Sequence, residues 1–197
     1  MDPNSDPSYQ RLMAVDWCAK LINDPNYRVA LIQSPVGKLP IDGLMERTLN
    51  TEETIRAALC LYKVRDEQIH ETLVLYDIGR GMGGLPGVAH GGIVATLLDQ
   101  ACGIFIASLH SPATDPLLQA VDKDCCASIW PNMSTATLRL DVTYLKFVKI
   151  PSVIAIRSHL KERRDRKILV ENQMEDEDQN VLARADGTFI MRRQSNI

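Results

Sequence analysis

One long apolar segment constrains the fold of this chain more than any other feature. Residues 91–109 contain a single charged side chain, that of Asp99. A membrane-spanning helix needs about twenty apolar residues and tolerates a central carboxylate poorly. The segment lacks a positively charged flank, and no second hydrophobic segment supports a membrane topology. We therefore expect a buried core helix, and no membrane as a partner.

Alternating apolar and polar residues on both sides of this segment predict β-strands. The predicted strands cover residues 54–64 and 68–78 before it, and 135–148, 152–161, 167–175 and 180–191 after it. Short connections between successive strands favour antiparallel neighbours. An antiparallel sheet wrapped on one buried helix is an α+β architecture.

Two other regions are less regular. Residues 8–23 have helical spacing that Pro25 ends, and a short strand is predicted near residues 29–32. Residues 110–133 are polar and are predicted to form a long connection, with a strand near residues 118–121. We therefore divide the chain into an N-terminal helical and irregular extension, residues 1–50, and one domain, residues 51–197.

Charge and cysteine content exclude several classes of function. The net charge of −3 gives no general electrostatic basis for binding nucleic acid. The five cysteines, of which Cys125 and Cys126 are adjacent, have the spacing of neither a disulfide framework nor a zinc site. We interpret them as free thiols and expect no metal and no cofactor. The acidic, polar N-terminus resembles no signal or transit peptide, so we expect a cytoplasmic protein.

His90-Gly91-Gly92 leads directly into the apolar helix. The first N–H groups of a helix lack intrahelical partners and carry the positive end of its dipole. Two glycines leave these N–H groups sterically open to a ligand. Such a turn can bind an anion, or a carbonyl oxygen that is becoming an oxyanion.

Asp99 lies nine residues beyond His90, about 13 Å along a helix. A lone carboxylate among small and apolar residues should have a raised pKa, which suits a general base. Asp99 and the glycine amides are too far apart to act on one acyl carbon from the same helix. We therefore predict an obligate dimer, or a dimer of dimers, whose active sites are shared between chains.

Three segments resemble those of one known family. Residues 88–99, VAHGGIVATLLD, resemble the HGG-x6-D signature of hotdog-fold acyl-CoA thioesterases, most closely the phenylacetyl-CoA thioesterase type and the animal thioesterase-superfamily members. Residues 84–87 resemble the Gly-Pro-Pro-Gly leader of the latter group. Residues 137–144 are similar to the family strand that begins with Thr or Ser and ends with Tyr. The resemblance covers roughly residues 54–192.

The resemblance implies a hotdog fold, in which an antiparallel sheet wraps around a long central helix. It also implies a role for each matching position. The Gly92 N–H would bind the thioester carbonyl, and His90 would help to shape the turn and could contact the substrate. Asp99 from the partner subunit would be the nucleophile or the base that activates water. Thr137 would hold the water or the carboxylate.

Further residues are predicted to bind the substrate. Gly91 belongs to the same turn. Gly84 occupies a position where some relatives have an Asn. The water- or substrate-orienting role of that Asn is therefore missing or is taken over by another group. Arg163, Arg164 and Arg166 form a basic run. It is either a solvated hairpin or a contact for the phosphates of coenzyme A.

The function that these residues favour is hydrolysis of an acyl thioester, carried by coenzyme A or by a carrier protein, to a free acid and a thiol. The alternatives are a hotdog dehydratase, hydratase or isomerase, and a non-catalytic acyl-CoA-binding hotdog protein. A dehydratase, hydratase or isomerase would pair the carboxylate with a His placed for proton abstraction. A non-catalytic acyl-CoA-binding protein would tolerate the loss of Asp99. Release of free thiol from a panel of acyl-CoA esters, measured against enoyl formation, separates them.

Overall fold

The computed structural model describes residues 6–30, 32, 42–66, 68–109 and 135–191. The strand predicted near residues 118–121 lies outside these residues, as do Cys125 and Cys126. The α-helices are α1 (Pro7–Met13), α2 (Asp16–Ile22) and α3 (Gly91–Ser108), and short π-helical and 3-10 segments cover Leu44–Thr48 and Arg80–Met82. The strands are β1 (Arg28–Ala30), β2 (Ile55–Arg65), β3 (Gln68–Ile78), β4 (Gly83–Leu85), β5 (Val88–Ala89), β6 (Thr135–Tyr144), β7 (Ser152–Arg164), β8 (Lys167–Glu175) and β9 (Val181–Met191).

Seven strands form one antiparallel sheet in the order β1-β2-β3-β7-β8-β9-β6. Helix α3 packs against β3, β6, β7, β8 and β9. The short strands β4 and β5 pair with each other just before α3 and close the turn that leads into it. The predicted α+β architecture, an antiparallel sheet around one long central helix, is confirmed.

Both faces of the sheet are buried over β2, β3 and β7. Cys60, Val74 and Ile156 face the core cluster that includes α3. Leu59 and Leu73, one residue away on the same strands, face the helices α1 and α2. Because alternate residues of a strand point to opposite faces, both sets can be apolar only when both faces are covered.

The N-terminal residues form two helices where the sequence predicts one. Asp6 caps α1 through hydrogen bonds from the N–H groups of Ser8 and Tyr9. The extended backbone of Val15 then separates α1 from α2. This break lets side chains of both helices reach the outer face of the sheet. Arg11 also forms an ion pair with the buried carboxylate of Asp77 on β3, which fastens α1 to the sheet.

Helix α3 has the composition of a membrane span, with a mean hydropathy of 1.5 over 18 residues. In this fold its apolar side chains pack on the sheet instead. One face of the helix is buried in a core cluster that it shares with strands of the sheet, through Val94, Leu97, Leu98 and Ala101. The helix is apolar because this face of it forms part of the core.

Two strand boundaries differ from the sequence prediction in a way that affects the candidate site. The strand predicted to reach residue 148 ends at Tyr144, and residues 145–148 leave the sheet. Strand β7 continues to Arg164, so the turn to β8 is the two residues Asp165 and Arg166. Asp165 has a φ of 49°, which an Asp adopts more readily than most side chains.

Three cysteines, Cys18, Cys60 and Cys102, are buried free thiols. Burial raises the pKa of each to about 12. They therefore remain protonated near neutral pH and act as small apolar side chains of the core.

Candidate active site

The turn before α3 is built on close backbone packing at Gly84. A Cβ atom at this position would lie 2.9 Å from the Cα of His90, closer than two carbon atoms can approach. Only glycine fits, which gives a physical reason why the Asn of some relatives is absent. The N–H of His90 donates to the carbonyl of Met82 at 2.8 Å, and this bond fixes the start of the helix.

His90 is the N-cap of α3. Its Nδ1 atom accepts a hydrogen bond of 2.9 Å from the Gly92 N–H, and its carbonyl accepts from the N–H groups of Ile93 and Val94. The Gly92 amide is thus already engaged within the turn. In the described part of the chain, the Gly91 N–H has no acceptor. The open donor of this helix N-terminus is therefore that of Gly91.

A pocket of about 380 Å³ opens beside this turn. Its lining is mostly apolar and comes from the turn, from the first turns of α3 and from the segment after β6. The lining residues are Gly84, Leu85, Val88, Ala89, His90, Gly91, Val94, Tyr144, Lys146, Phe147 and Val148. Phe147 and Leu85 are 73% and 63% exposed, so apolar surface continues from the pocket to the outside of the chain.

Tyr144 stands at the edge of this pocket. Its hydroxyl donates a hydrogen bond of 3.0 Å to the carbonyl of Gly91. From the sequence, Tyr144 is only the end of a family-like strand, with no predicted role of its own. The period-two pattern of β6 is the one signal that could have indicated the side on which Tyr144 lies.

Asp99 lies in the middle of α3 and faces β6. The hydroxyl of Thr137 donates to its carboxylate at 3.0 Å. Burial raises the pKa of Asp99 above its ordinary value, and the hydrogen bond from Thr137 acts in the opposite direction. The side chain is neither fully buried nor fully exposed, so a substrate can approach it.

Within one chain the predicted site residues form two separate groups. Gly84, His90 and Gly91 line the pocket at the helix N-terminus, whereas Asp99 and Thr137 form a pair farther along α3. The axial rise from residue 90 to residue 99 is about 13 Å. Gly92 belongs to the first group through its bond to His90, although it does not line the pocket.

The three arginines lie elsewhere, at the hairpin between β7 and β8. Arg164 pairs with Glu162, and Arg166 donates to the carbonyl of Met191 at 3.4 Å. Arg163 approaches the sulfur of Met191 at 4.0 Å. None of the three lines the pocket of its own chain.

In the residues that the structure describes, no three His, Cys, Asp or Glu side chains converge as ligands for a metal ion.

Comparison with known proteins agrees with this geometry. Residues 86–183, which include the pocket turn, α3 and β6, match the model of the thioesterase superfamily. The chain belongs to the hotdog-fold thioesterase superfamily. The resemblance carried by the HGG motif and Asp99 is thereby confirmed.

Solved structures of superfamily members have the same fold. A hypothetical thioesterase protein of Streptococcus pneumoniae TIGR4, solved with coenzyme A, is 18% identical and aligns with a TM-score of 0.50 over 68% of this chain and 91% of that one. A variant of a thioesterase enzyme from Staphylococcus aureus is 10% identical, with a TM-score of 0.51 over 68% of this chain and 93% of that one. At these identities the likeness concerns the fold.

A similar sequence is the verlamelin biosynthesis protein B of Lecanicillium, which is 25% identical over 136 residues. The match covers 59% of this chain and 57% of that protein. This chain therefore spans little more than half of the length of that relative.

Proposed function

We propose that this chain hydrolyses an acyl thioester to a free acid and a thiol. The observation that carries the proposal is the pair of Asp99 and Thr137. A partly buried carboxylate of raised pKa, held by a hydroxyl, has the properties of a general base that works near neutral pH. Membership of the thioesterase superfamily supports the same chemistry.

In this proposal the helix N-terminus binds the thioester carbonyl. The Gly91 N–H has no acceptor in the described residues and adjoins the pocket. The Gly92 N–H becomes available when the carbonyl oxygen replaces the Nδ1 atom of His90. Two backbone donors at the positive end of a helix would stabilise the charge that develops on this oxygen.

Asp99 would then activate water. As the water oxygen bonds to the carbonyl carbon, one proton passes to the Asp99 carboxylate and the negative charge collects on the carbonyl oxygen. The carbonyl re-forms, the C–S bond breaks, and the departing thiolate takes the proton from Asp99. Thr137 orients the carboxylate throughout this sequence.

We further propose that each site is shared between two chains. The two groups of residues are separated by about 13 Å along α3. One chain therefore cannot bring both groups to the same thioester carbonyl. Strand β6 is an edge strand, and seven of its ten residues are exposed. An unpaired edge is a template for pairing with another strand. Pairing of β6 with the β6 of a second copy about a two-fold axis would bring Asp99 towards the helix N-terminus of that copy.

The pocket beside Gly91 would hold the acyl group, because its lining is mostly apolar. Coenzyme A is the thiol carrier that the Streptococcus pneumoniae structure suggests for this chain, and an acyl-carrier domain is the alternative carrier. For coenzyme A, the run of Arg163, Arg164 and Arg166 is the proposed contact for phosphates. Replacing the three arginines by glutamine should raise KM more than it lowers kcat, whereas unchanged KM would assign the run to a solvated hairpin.

The decisive experiment compares the wild type with Asp99→Asn on a panel of acyl-CoA thioesters. We expect wild-type release of free thiol, and a loss of roughly a hundredfold or more in kcat for the variant, with acyl-CoA binding retained. Near wild-type turnover by the variant would contradict the mechanism. Enoyl formation would indicate a dehydratase or hydratase, and binding without turnover would indicate an acyl-CoA-binding protein.

The shared site is tested by complementation. Asp99→Asn and Gly92→Val are each expected to be inactive, because one lacks the base and the other fills the space next to His90, where a Cβ would lie 3.0 Å from Nδ1. After subunit exchange, a mixed dimer contains one intact site and should regain part of the activity. Exchange without recovered activity, or an active monomer, would refute the shared site.

A further inference from the structure

Tyr144 and His90 hold the two ends of one peptide bond. The Tyr144 hydroxyl donates to the Gly91 carbonyl at 3.0 Å. The Gly92 N–H donates to the Nδ1 of His90 at 2.9 Å. The Gly91 carbonyl and the Gly92 N–H belong to the same planar peptide unit, so the two side chains together fix its orientation.

The two contacts differ in what happens to them when a substrate binds. If a thioester carbonyl takes the place of the imidazole, the contact with His90 is lost. The hydrogen bond from Tyr144 is made to the carbonyl end of the same peptide unit, so it persists. We propose that Tyr144 is a positioning residue that keeps the peptide between Gly91 and Gly92 aimed at the carbonyl oxygen during the reaction. This inference rests on the function proposed above.

The hydroxyl of Tyr144 also acts on the strength of the Gly92 donor. A hydrogen bond to the carbonyl of a peptide polarises the whole unit and makes its N–H a better donor. The developing oxyanion needs such a donor most in the transition state. Tyr144 should therefore contribute to kcat more than to binding of the ground state.

A purely structural role for this hydrogen bond is poorly supported. In the single chain Tyr144 is 54% exposed, so water is available to its hydroxyl there and the net contribution of the bond to the folding of the chain is small. The ring itself packs on the turn, because a Cβ on Gly91 would lie 3.7 Å from the ring and from the hydroxyl oxygen. The ring therefore sits where it forms a pocket wall, and this is the alternative that an experiment has to separate from positioning.

Thr96 provides a matched control in the same turn. Its hydroxyl donates to the carbonyl of Gly92 at 2.9 Å. That carbonyl belongs to the next peptide, whose N–H, on Ile93, is bonded to the His90 carbonyl within the turn. Removing the Thr96 hydroxyl thus deletes the same kind of bond from a peptide that presents no donor to the substrate.

The kinetic test compares Tyr144→Phe with Thr96→Val on the best acyl thioester of the panel. Tyr144→Phe keeps the ring and removes only the hydroxyl. We expect kcat to fall by about three- to tenfold, the equivalent of one hydrogen bond, with KM changed by less than about twofold. Thr96→Val should leave both constants unchanged. Equal kinetics for the two variants, or a raised KM with unchanged kcat, would overturn the inference.

An NMR measurement tests the same inference without turnover. The chemical shift of the Gly92 amide proton reports the polarisation of its peptide. We expect Tyr144→Phe to move this signal in the free protein, and Thr96→Val to leave it in place and move that of Ile93. An unmoved Gly92 signal would overturn the inference. Absence of hydrolysis by the wild type would instead refute the proposed function, so the two failures are distinguishable.

Discussion

The hydroxyl of Thr137 and the carboxylate of Asp99 are joined by a hydrogen bond of 3.0 Å between residues that are 38 positions apart in the chain. The bond connects the edge strand β6 to the middle of α3. It favours the ionised form of Asp99, whereas burial favours the protonated form, and burial prevails. The properties of the proposed base are therefore set jointly by the helix and by the sheet.

Removal of the Thr137 hydroxyl should shift the pH dependence of the reaction. In Thr137→Val, the bond that lowers the pKa of Asp99 is absent while the burial remains. The pKa should rise further, so the acid limb of kcat/KM against pH should move to higher pH. The measurement is a pH–rate profile of the two proteins. Thr137→Ser, which keeps a hydroxyl, should restore the wild-type limb, and a limb that does not move in Thr137→Val would show that the base is another group.

Asp99→Asn should not destabilise the protein at neutral pH. Because burial raises the pKa of Asp99 in the folded chain, the folded state holds this proton more tightly than the unfolded state, where the pKa is about 3.9. The stability that this group contributes is full below about pH 3.9 and is lost as pH rises through the raised native pKa. A non-titrating Asn avoids that loss.

Urea denaturation over a range of pH values measures this effect. The free energy of unfolding of Asp99→Asn, relative to the wild type, should increase as pH rises from the acid side and then level off. A variant that is clearly less stable than the wild type at pH 7 would indicate that Asp99 anchors the helix. Its loss of activity could not then be assigned to a missing base.

Gly187 on β9 should not accept even an alanine. A Cβ there would lie 2.7 Å from the sulfur of Cys102 and 2.8 Å from the ring of Phe189, and both side chains are buried. We expect Gly187→Ala to lower the free energy of unfolding by about 1–3 kcal/mol, as overpacking does. Adding Cys102→Ala should recover part of the loss, because it removes one of the two clashing atoms.

Gly103 on α3 is the control for that experiment. A Cβ at this position meets no described atom within 4 Å. Gly103→Ala should leave stability unchanged or raise it by up to about 1 kcal/mol, because alanine is the better helix former. Thermal and urea unfolding of both variants provide the measurement. Similar effects of the two substitutions would show that packing at Gly187 is not tight.

Asp77 should hold the N-terminal helices on the sheet. Its side chain is 7% exposed and pairs with Arg11 of α1 at 2.5 Å and with Arg56 of β2. We expect Asp77→Asn to cost about 1–3 kcal/mol, less than a fully buried pair, because both arginines are partly exposed. Proteolysis within α1 should become faster.

Glu52 supplies the matched control, since it also pairs with Arg11, at 3.4 Å, but is 80% exposed. Glu52→Gln should change stability by less than about 0.5 kcal/mol and leave the proteolysis rate as it was. An equal effect of both substitutions would assign the anchoring to Arg11 alone and not to the burial of Asp77.

Several parts of this protein could be predicted from the sequence. The near absence of charge between residues 91 and 109 predicted α3, and alternation on both sides predicted the sheet, because these patterns reflect which faces of an element are buried. The HGG turn and Asp99 could also be identified from the sequence. An open helix start and a lone carboxylate in apolar surroundings are local properties of the chain.

Only the tertiary structure decided the partners of these residues. Thr137 meets Asp99 across 38 residues, and Tyr144 meets Gly91 across 53. The same holds for Gly84, whose need for glycine comes from the packing of His90 on it. Periodicity records which way a side chain faces, but it does not record which strand folds back against which turn of the helix. That choice depends on strand order and register, which result from the packing of the whole chain at once.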